Sequence, residues 1–191
     1  PKHSIPLDLL NNAATILACD GAADTLINRG YKPDIIIGDL DSISSNCKKK
    51  FKDKIIKVQD QSKNDLRKAI DYAMIYNIKD ISIVGAAGKR EDHMIGNVFS
   101  LLDYKDLNIR LFTNTGIFSC IHKSRTIDSY KGQKISLFST DSTVKITSNN
   151  LMYNFNESCI TTLYNATLNE CINIFFEIKL SHGSVLIYQS H

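Results

Sequence analysis

The sequence predicts an α/β domain built on a parallel sheet, followed by a smaller all-β sandwich. Three observations carry this reading. Apolar, β-branched runs alternate with helical patterns as far as Thr115, and most of those runs stop at an acidic residue or a glycine. Beyond Thr115 the helical periodicity disappears, and Ser, Thr, Asn and β-branched residues dominate. The expected division is residues 1–115 for the α/β domain and 116–191 for the sandwich.

Taken in order, residues 14–19 form a first strand that ends at Asp20-Gly21, and 21–28 form a short helix stopped by Gly30 and Pro33. Ile35-Ile36-Ile37 is the second strand; three β-branched residues without polar alternation are buried on both faces. It closes on Gly38-Asp39-Leu40-Asp41-Ser42. Ser44 or Ser45 caps a short helix running to Phe51, and residues 54–58 are the third strand, closed by Gln59-Asp60-Gln61. Ser62 and Asp65 have the spacing of a helix-start box, after which Leu66, Ala69, Ile70, Ala73 and Met74 form an inward face. Residues 80–84 are the fourth strand and 85–91 a loop. Asp92 then opens a helix with Met94, Ile95, Val98, Phe99 and Leu102 inward, and 108–112 are the fifth strand.

Strands separated by helices pair in parallel, giving a Rossmann-like sheet whose ligands bind beyond the carboxyl ends of the strands. Those ends carry Asp20, then Asp39 and Asp41, then Asp60 and Gln61, then the 85–92 loop, then Asn114. In the second domain, residues 117–122, 134–138 and 143–146 read as short strands. Residues 172–180 alternate with a period of two and connect through Ser181-His182-Gly183-Ser184 to 185–188, which predicts a hairpin.

The formal charge of +3 is too small to argue for nucleic acid, and Lys48-Lys49-Lys50 reads as a solvated helix face. No apolar run approaches the ~18 residues of a membrane span, and the opening Pro1-Lys2-His3 has no signal-peptide pattern. Five cysteines without Cys-x-x-Cys spacing argue for a reduced, cytoplasmic setting and against a zinc site. Cys19, inside an apolar run, reads as a core thiol rather than a nucleophile.

If the chain stays extended after Gly38, Asp39 and Asp41 point to one side, since strand side chains repeat every two residues. Converging carboxylates repel unless a cation sits between them, and Mg²⁺ with substrate phosphates is the natural occupant. Asp65, at a helix start, supplies a third carboxylate. The loop Gly85-Ala86-Ala87-Gly88-Lys89-Arg90-Glu91-Asp92-His93 offers small residues, two cations and a helix N-terminus to a phosphate, although it is not a Walker A loop. His93 and Asn97 share one face of the following helix.

These segments together resemble the thiamine pyrophosphokinase family: Cys19-Asp20-Gly21-Ala22-Ala23, Gly38-Asp39-Leu40-Asp41-Ser42, Asp60-Gln61 with Asp65, and Gly88-Lys89-Arg90-Glu91-Asp92-His93 with Asn97. The resemblance implies transfer of pyrophosphate from ATP to thiamine, giving thiamine diphosphate and AMP. It also implies a homodimer with sites between subunits. By that likeness Asp39, Asp41 and Asp65 bind Mg²⁺ and act in catalysis with Arg90 and Asp92. Asp20, Gly21, Gln61, Lys89, Arg90, Asp92, His93 and Asn97 line the ATP and phosphate site. Tyr153, Asn169 and Glu170 answer to the thiamine site, where an aromatic face suits a pyrimidine and a thiazolium cation. The sequence departs from the family at Lys89, Asn64 and Leu168, and lacks the strand and glycine turn expected ahead of residues 4–10. Two other readings compete: a phosphatase resembling haloacid dehalogenases with Asp39 as nucleophile, and a non-catalytic thiamine- or nucleotide-binding protein.

Overall fold

Among residues 1–88 and 90–191, which the computed structural model describes, the chain divides into two units, Asp8–Lys79 and Pro1–Leu7 with Asp80–His191. The boundary falls within α1 (Ser4–Asn11), a helix that the sequence reading did not anticipate.

In the Asp8–Lys79 unit, β1 (Leu17–Cys19), β2 (Ile35–Gly38) and β3 (Ile55–Lys57) pair in parallel in that order. They alternate with α2 (Ala22–Asn28), α3 (Ser45–Lys50) and α4 (Asp65–Ile75). The β-branched run puts Ile36 and Ile37 fully inside, and Ile36 packs with Ala18, Ala23, Ile43, Cys47 and Phe51. Ser44 caps α3, its Oγ accepting from the Cys47 N–H at 3.1 Å. The cap of α4 is Asn64, whose Oδ1 accepts from the Arg67 N–H at 3.0 Å. The expected Ser62 box does not form, because the Ser62 hydroxyl and N–H are both spent on Asp60 Oδ1. α4 buries Lys68, Ala69, Ile70 and Ala73, while Met74, expected inward, is exposed. The small alanines bring that edge of the helix onto the sheet and turn Met74 away.

In the other unit, β4 (Asp80–Val84) and β5 (Asn108–Phe112) pair in parallel around α5 (Glu91–Ser100). α5 buries Val98 and Ser100 and leaves Ile95, expected inward, exposed. The chain then turns back at once. Thr113 Oγ1 accepts from the N–H groups of Thr115 and Gly116, and β6 (Gly116–Ile121) lies antiparallel to β5. A Cβ on Gly116 would lie 2.3 Å from the Gln189 carbonyl oxygen, so this approach requires glycine. The five expected parallel strands are therefore not one ladder. β5 gives its second edge to β6, and β4 and β5 belong to a mixed six-stranded sheet.

The remaining strands are β7 (Arg125–Asp128), β8 (Lys134–Phe138), β9 (Lys145–Asn149), β10 (Ser158–Cys159), β11 (Asn169–Glu170), β12 (Phe175–Leu180) and β13 (Val185–Ser190). They complete two sheets, ordered β11-β8-β13-β6-β5-β4 and β10-β9-β12-β7. Ile121, Ile135, Leu137, Val185 and Ile187 from the first face Ile146, Phe176 and Ile178 from the second across one core, the arrangement of a sandwich. β12 and β13 are not a hairpin. β12 lies between β9 and β7, and β13 between β6 and β8, so residues 181–184 carry the chain from one sheet to the other.

Candidate active site

The site begins where β1 and β2 end. A Cβ on Gly38 would lie 2.8 Å from Asp20 Cβ and 3.2 Å from Asp65 Oδ1, so the glycine is what lets an acid from the end of β1 and one from the start of α4 close in on β2. The backbone does not stay extended past this point. Leu40 takes a left-handed conformation, φ +71°, which breaks the two-residue alternation expected to aim Asp39 and Asp41 together. The carboxylates that converge are those of Asp20, Asp39 and Asp65, with ligand oxygens all within 4.8 Å of one another. Asp41 stands beside them, its Oδ1 accepting from Ser42 Oγ at 2.7 Å.

The acids differ in what surrounds them. Asp20 is 2% exposed, and its Oδ2 accepts from the Ser42 N–H at 3.2 Å, while its Oδ1 has no hydrogen-bond partner. Burial pushes the Asp20 carboxyl up from its usual range; the Ser42 N–H opposes this, and Asp41 and Asp65 add to it. Asp39 is held below its usual range by Gln61, whose Nε2 donates to Asp39 Oδ2 at 3.2 Å, and by the Asp41 N–H at 3.3 Å. One buried acid resisting ionisation beside one stabilised as a carboxylate leaves lone pairs that only a cation or a proton can satisfy. Cys19 Sγ donates to the Asp65 carbonyl oxygen, and burial with the nearby acids pushes the thiol up to about 12, an inert core group as the sequence suggested.

Sequence reasoning missed Lys68. Its side chain is 3% exposed, and its Nζ lies 3.0 Å from Asp65 Oδ1 and 4.0 Å from Asp39 Oδ2. Burial alone would lower its affinity for a proton, but the Asp65 bond and the charges of Asp65, Asp39 and Asp60 outweigh that and hold it charged. The available signal was a base three residues after an acid, next to the inward alanine Ala69 of an amphipathic helix.

Gly21 precedes α2 as its cap position. Arg90 and Asp92, at the start of α5 in the other unit, form a two-pronged ion pair with N···O distances of 3.1 and 2.6 Å, both side chains exposed. Arg90 holds the Asp92 carboxyl down at about 2. His93 and Asn97 follow on α5. Lys89 lies outside the described residues. Asn114, expected at a ligand-binding edge, is engaged by the chain itself, its Oδ1 accepting from the N–H groups of Lys2 and His3.

Tyr153, Asn169 and Glu170 come together through the amide of Asn169, a buried side chain. Its Nδ2 donates to the Tyr153 carbonyl at 2.7 Å, and its Oδ1 accepts from the N–H groups of Tyr153 and Glu170 at 3.1 and 2.9 Å. Asn169 is thus a clamp that presents its neighbours. Tyr153 is 67% exposed, and Glu170 pairs with Lys134.

Two family models match the chain: the thiamin pyrophosphokinase catalytic domain over residues 7–113 and the thiamin pyrophosphokinase substrate-binding domain over 116–188. Thiamine pyrophosphokinase 3 of Oryza sativa subsp. japonica is 29% identical over 110 residues, and Thiamine pyrophosphokinase 2 of Arabidopsis thaliana is 32% identical over 109. Each match takes in 52% of this chain and 41% of the plant protein's length. The crystal structure of thiamine pyrophosphokinase from Bacillus subtilis superposes with a TM-score of 0.81 at 21% identity, covering 97% of this chain and 92% of that one. Thiamin pyrophosphokinase from Candida albicans gives 0.81 at 18%, covering 97% and 84%. At these identities the structures speak for the fold.

Proposed function

The chain belongs to the thiamin pyrophosphokinase family, and from that premise we propose that it transfers the pyrophosphoryl group of ATP to the hydroxyl of thiamine, releasing AMP. The observation that carries the reading is the convergence of Asp20 and Asp39, at the ends of β1 and β2, with Asp65, at the start of α4. The residues fit a Mg²⁺ ion: the donors are hard carboxylate oxygens, and Asp20 Oδ1 is buried without a partner. Asp39 and Asp65 would hold the ion with Asp20, and Asp41, beside Asp20, completes the acidic set. Bound there, Mg²⁺ supplies neutralisation of phosphate charge.

The chain's own groups then have distinct tasks. Gln61 and the Asp41 N–H fix the Asp39 carboxylate, and the Ser42 N–H fixes Asp20. Arg90 would stabilise charge developing on the transferred group, with Lys89, Gly21, His93 and Asn97 lining the phosphate and nucleotide site. Asp92, held at about 2, is a poor proton acceptor, and its task is to orient Arg90. A loose phosphoryl transition state needs positioning more than a base, which suits such a site.

Tyr153, Asn169 and Glu170 would receive thiamine, the exposed tyrosine ring offering a face to an aromatic or cationic ring. Residues 1–115 would thus bind ATP and metal, and 116–191 thiamine and a second subunit. The exposed Leu163, Tyr164, Leu168 and Ile174 support an interface in that region. Five free thiols support a cytoplasmic setting, and no helix among the described residues is long and apolar enough to cross a membrane.

The test follows AMP and thiamine diphosphate from ATP, thiamine and MgCl₂, with an EDTA control. Both products are expected in equal amounts, lost with EDTA, and reduced on the order of 10²–10³-fold or more in Asp39→Asn and Asp41→Asn. A fully active Asp39→Asn protein, or phosphate release without AMP, would end the proposal.

A further inference from the structure

We propose that Lys68 is a positioning residue: its ammonium group is the built-in cation that keeps Asp39 and Asp65 converged while no metal is bound. The proposal rests on reading the acidic cluster as a Mg²⁺ site, and it concerns how that site is held ready.

Three carboxylates with oxygens within 4.8 Å of one another repel strongly when water is partly excluded. A lysine with a side chain only 3% exposed is equally unfavourable unless it is paired. Each problem answers the other. Lys68 stands one helical turn after Asp65 on α4, so the helix itself fixes their 3.0 Å contact. Asp39 comes from the end of β2, a separate element, and the 4.0 Å approach of the same ammonium ties strand end to helix start. Asp24 and Asp60, by contrast, are satisfied by serine donors of the chain, Ser44 and Ser62.

Asp20 is left out of this arrangement. Its buried Oδ1 has no hydrogen-bond partner, so Lys68 serves two of the three acids and leaves the third open. The one ammonium offsets only part of the negative charge of Asp20, Asp39 and Asp65, with Asp41 beside them, and leaves the rest for a cation to neutralise. In this scheme Lys68 sets the charge of the site as well as its shape. Without it the acids would splay apart in the absence of metal, and the ion would have to reassemble them.

Thermal unfolding of the whole chain in EDTA and in MgCl₂ tests this, for the unmodified protein, Lys68→Met, Asp65→Asn and the double variant. Lys68→Met is expected to lower Tm in EDTA by on the order of 10 °C. Adding Asp65→Asn should restore most of that loss, since it removes a charge that Lys68 had opposed. MgCl₂ should raise the Tm of Lys68→Met by more than it raises that of the unmodified protein. A lysine that merely packs its stem predicts the reverse: additive losses in the double variant and equal Mg²⁺ shifts, which would overturn the proposal. Should both Lys68→Met and the double variant be insoluble, it is overturned as well, because cancelling the opposing charge ought then to recover the fold. If the unmodified protein shows no Mg²⁺ shift, it is the metal-site reading that fails, and the rescue in EDTA still decides what Lys68 does.

Discussion

In the Asp8–Lys79 unit, strands of three and four residues support a core of Ile36, Ala18, Ala23, Cys47 and Phe51, and two strand ends and the start of α4 hold three acids against one another. In the sandwich, β12 and β13, six residues each, are paired on both edges and enclose Leu137, Ile146, Phe176, Ile178 and Ile187 with no exposure to water. The contrast separates two ways of being stable. The sandwich is held by apolar area and shape, which are indifferent to ions. The smaller unit spends part of its stability on bringing like charges together, so its stability should depend on what neutralises them. Preorganised charge is useful for moving phosphoryl groups, and it is found here in the unit with the smaller sheet, three strands against four and six.

The largest effect that sharpens this contrast is expected from Leu137→Ala. Leu137 is fully buried in β8, and cutting it back to a methyl group should cost about 3 kcal/mol through lost transfer energy and the cavity left behind. Because the loss is apolar, urea unfolding should show the same decrement in EDTA and in MgCl₂. A decrement that Mg²⁺ erased would mean that the two regions are not energetically distinct in this way.

Much of the fold was legible because periodicity is local. The run Ile35-Ile36-Ile37 and the spacing of Ala69, Ile70 and Ala73 declare a buried strand and an inward helix face with no knowledge of partners. Pairing is not local. Residues 172–180 and 185–188 alternate as strands must, but nothing in the four residues between them says that one strand joins β9 and the other β8. The same limit hid the early return of the chain at Thr113, which sends β5 to β6. At the site, Asp39 and Asp65 were readable as acids at strand and helix ends, whereas Asp20 was read as a phosphate-site residue. Its place in the cluster depends on the bare backbone of Gly38, while the left-handed turn at Leu40 breaks the alternation that would have aimed Asp41 with Asp39. Lys68 was invisible for a statistical reason, since acid–base pairs three residues apart are ordinary on solvated helices and only burial makes this one unusual.

A smaller effect, opposite in sign, is expected from Asp20→Asn. Burial raises the Asp20 carboxyl above its usual value, so its ionised form opposes folding, and stability tied to the protonated form is lost as pH rises. Asparagine keeps an oxygen for the Ser42 N–H and removes the charge. At pH 7 in EDTA the variant should be more stable than the unmodified protein by on the order of 1 kcal/mol. Its Mg²⁺-induced rise in Tm should be lost. If it is destabilised in EDTA, the acids are not in conflict, and the contrast with the sandwich weakens.

The smallest effect belongs to the sandwich side and to pH rather than metal. His122 follows β6; its Nδ1 lies 2.6 Å from Ser184 Oγ, and its buried Nε2 has no hydrogen-bond partner. Burial lowers its affinity for a proton, with Lys105 acting in the same direction and Asp106 against it. The unfolded chain therefore takes up a proton at higher pH than the folded one. The stability that depends on neutral His122 is complete above the ordinary histidine value of about 6.5 and is lost as pH falls through it, levelling off below the depressed folded value. His122→Gln keeps a polar partner for Ser184 but does not titrate. Unfolding followed by urea between pH 7.5 and 5 should fall less steeply with acid in this variant than in the unmodified protein, by a few tenths of a kcal/mol. Identical slopes would mean that His122 opens to water before it titrates, and the sandwich would then be less closed at its edge than its core.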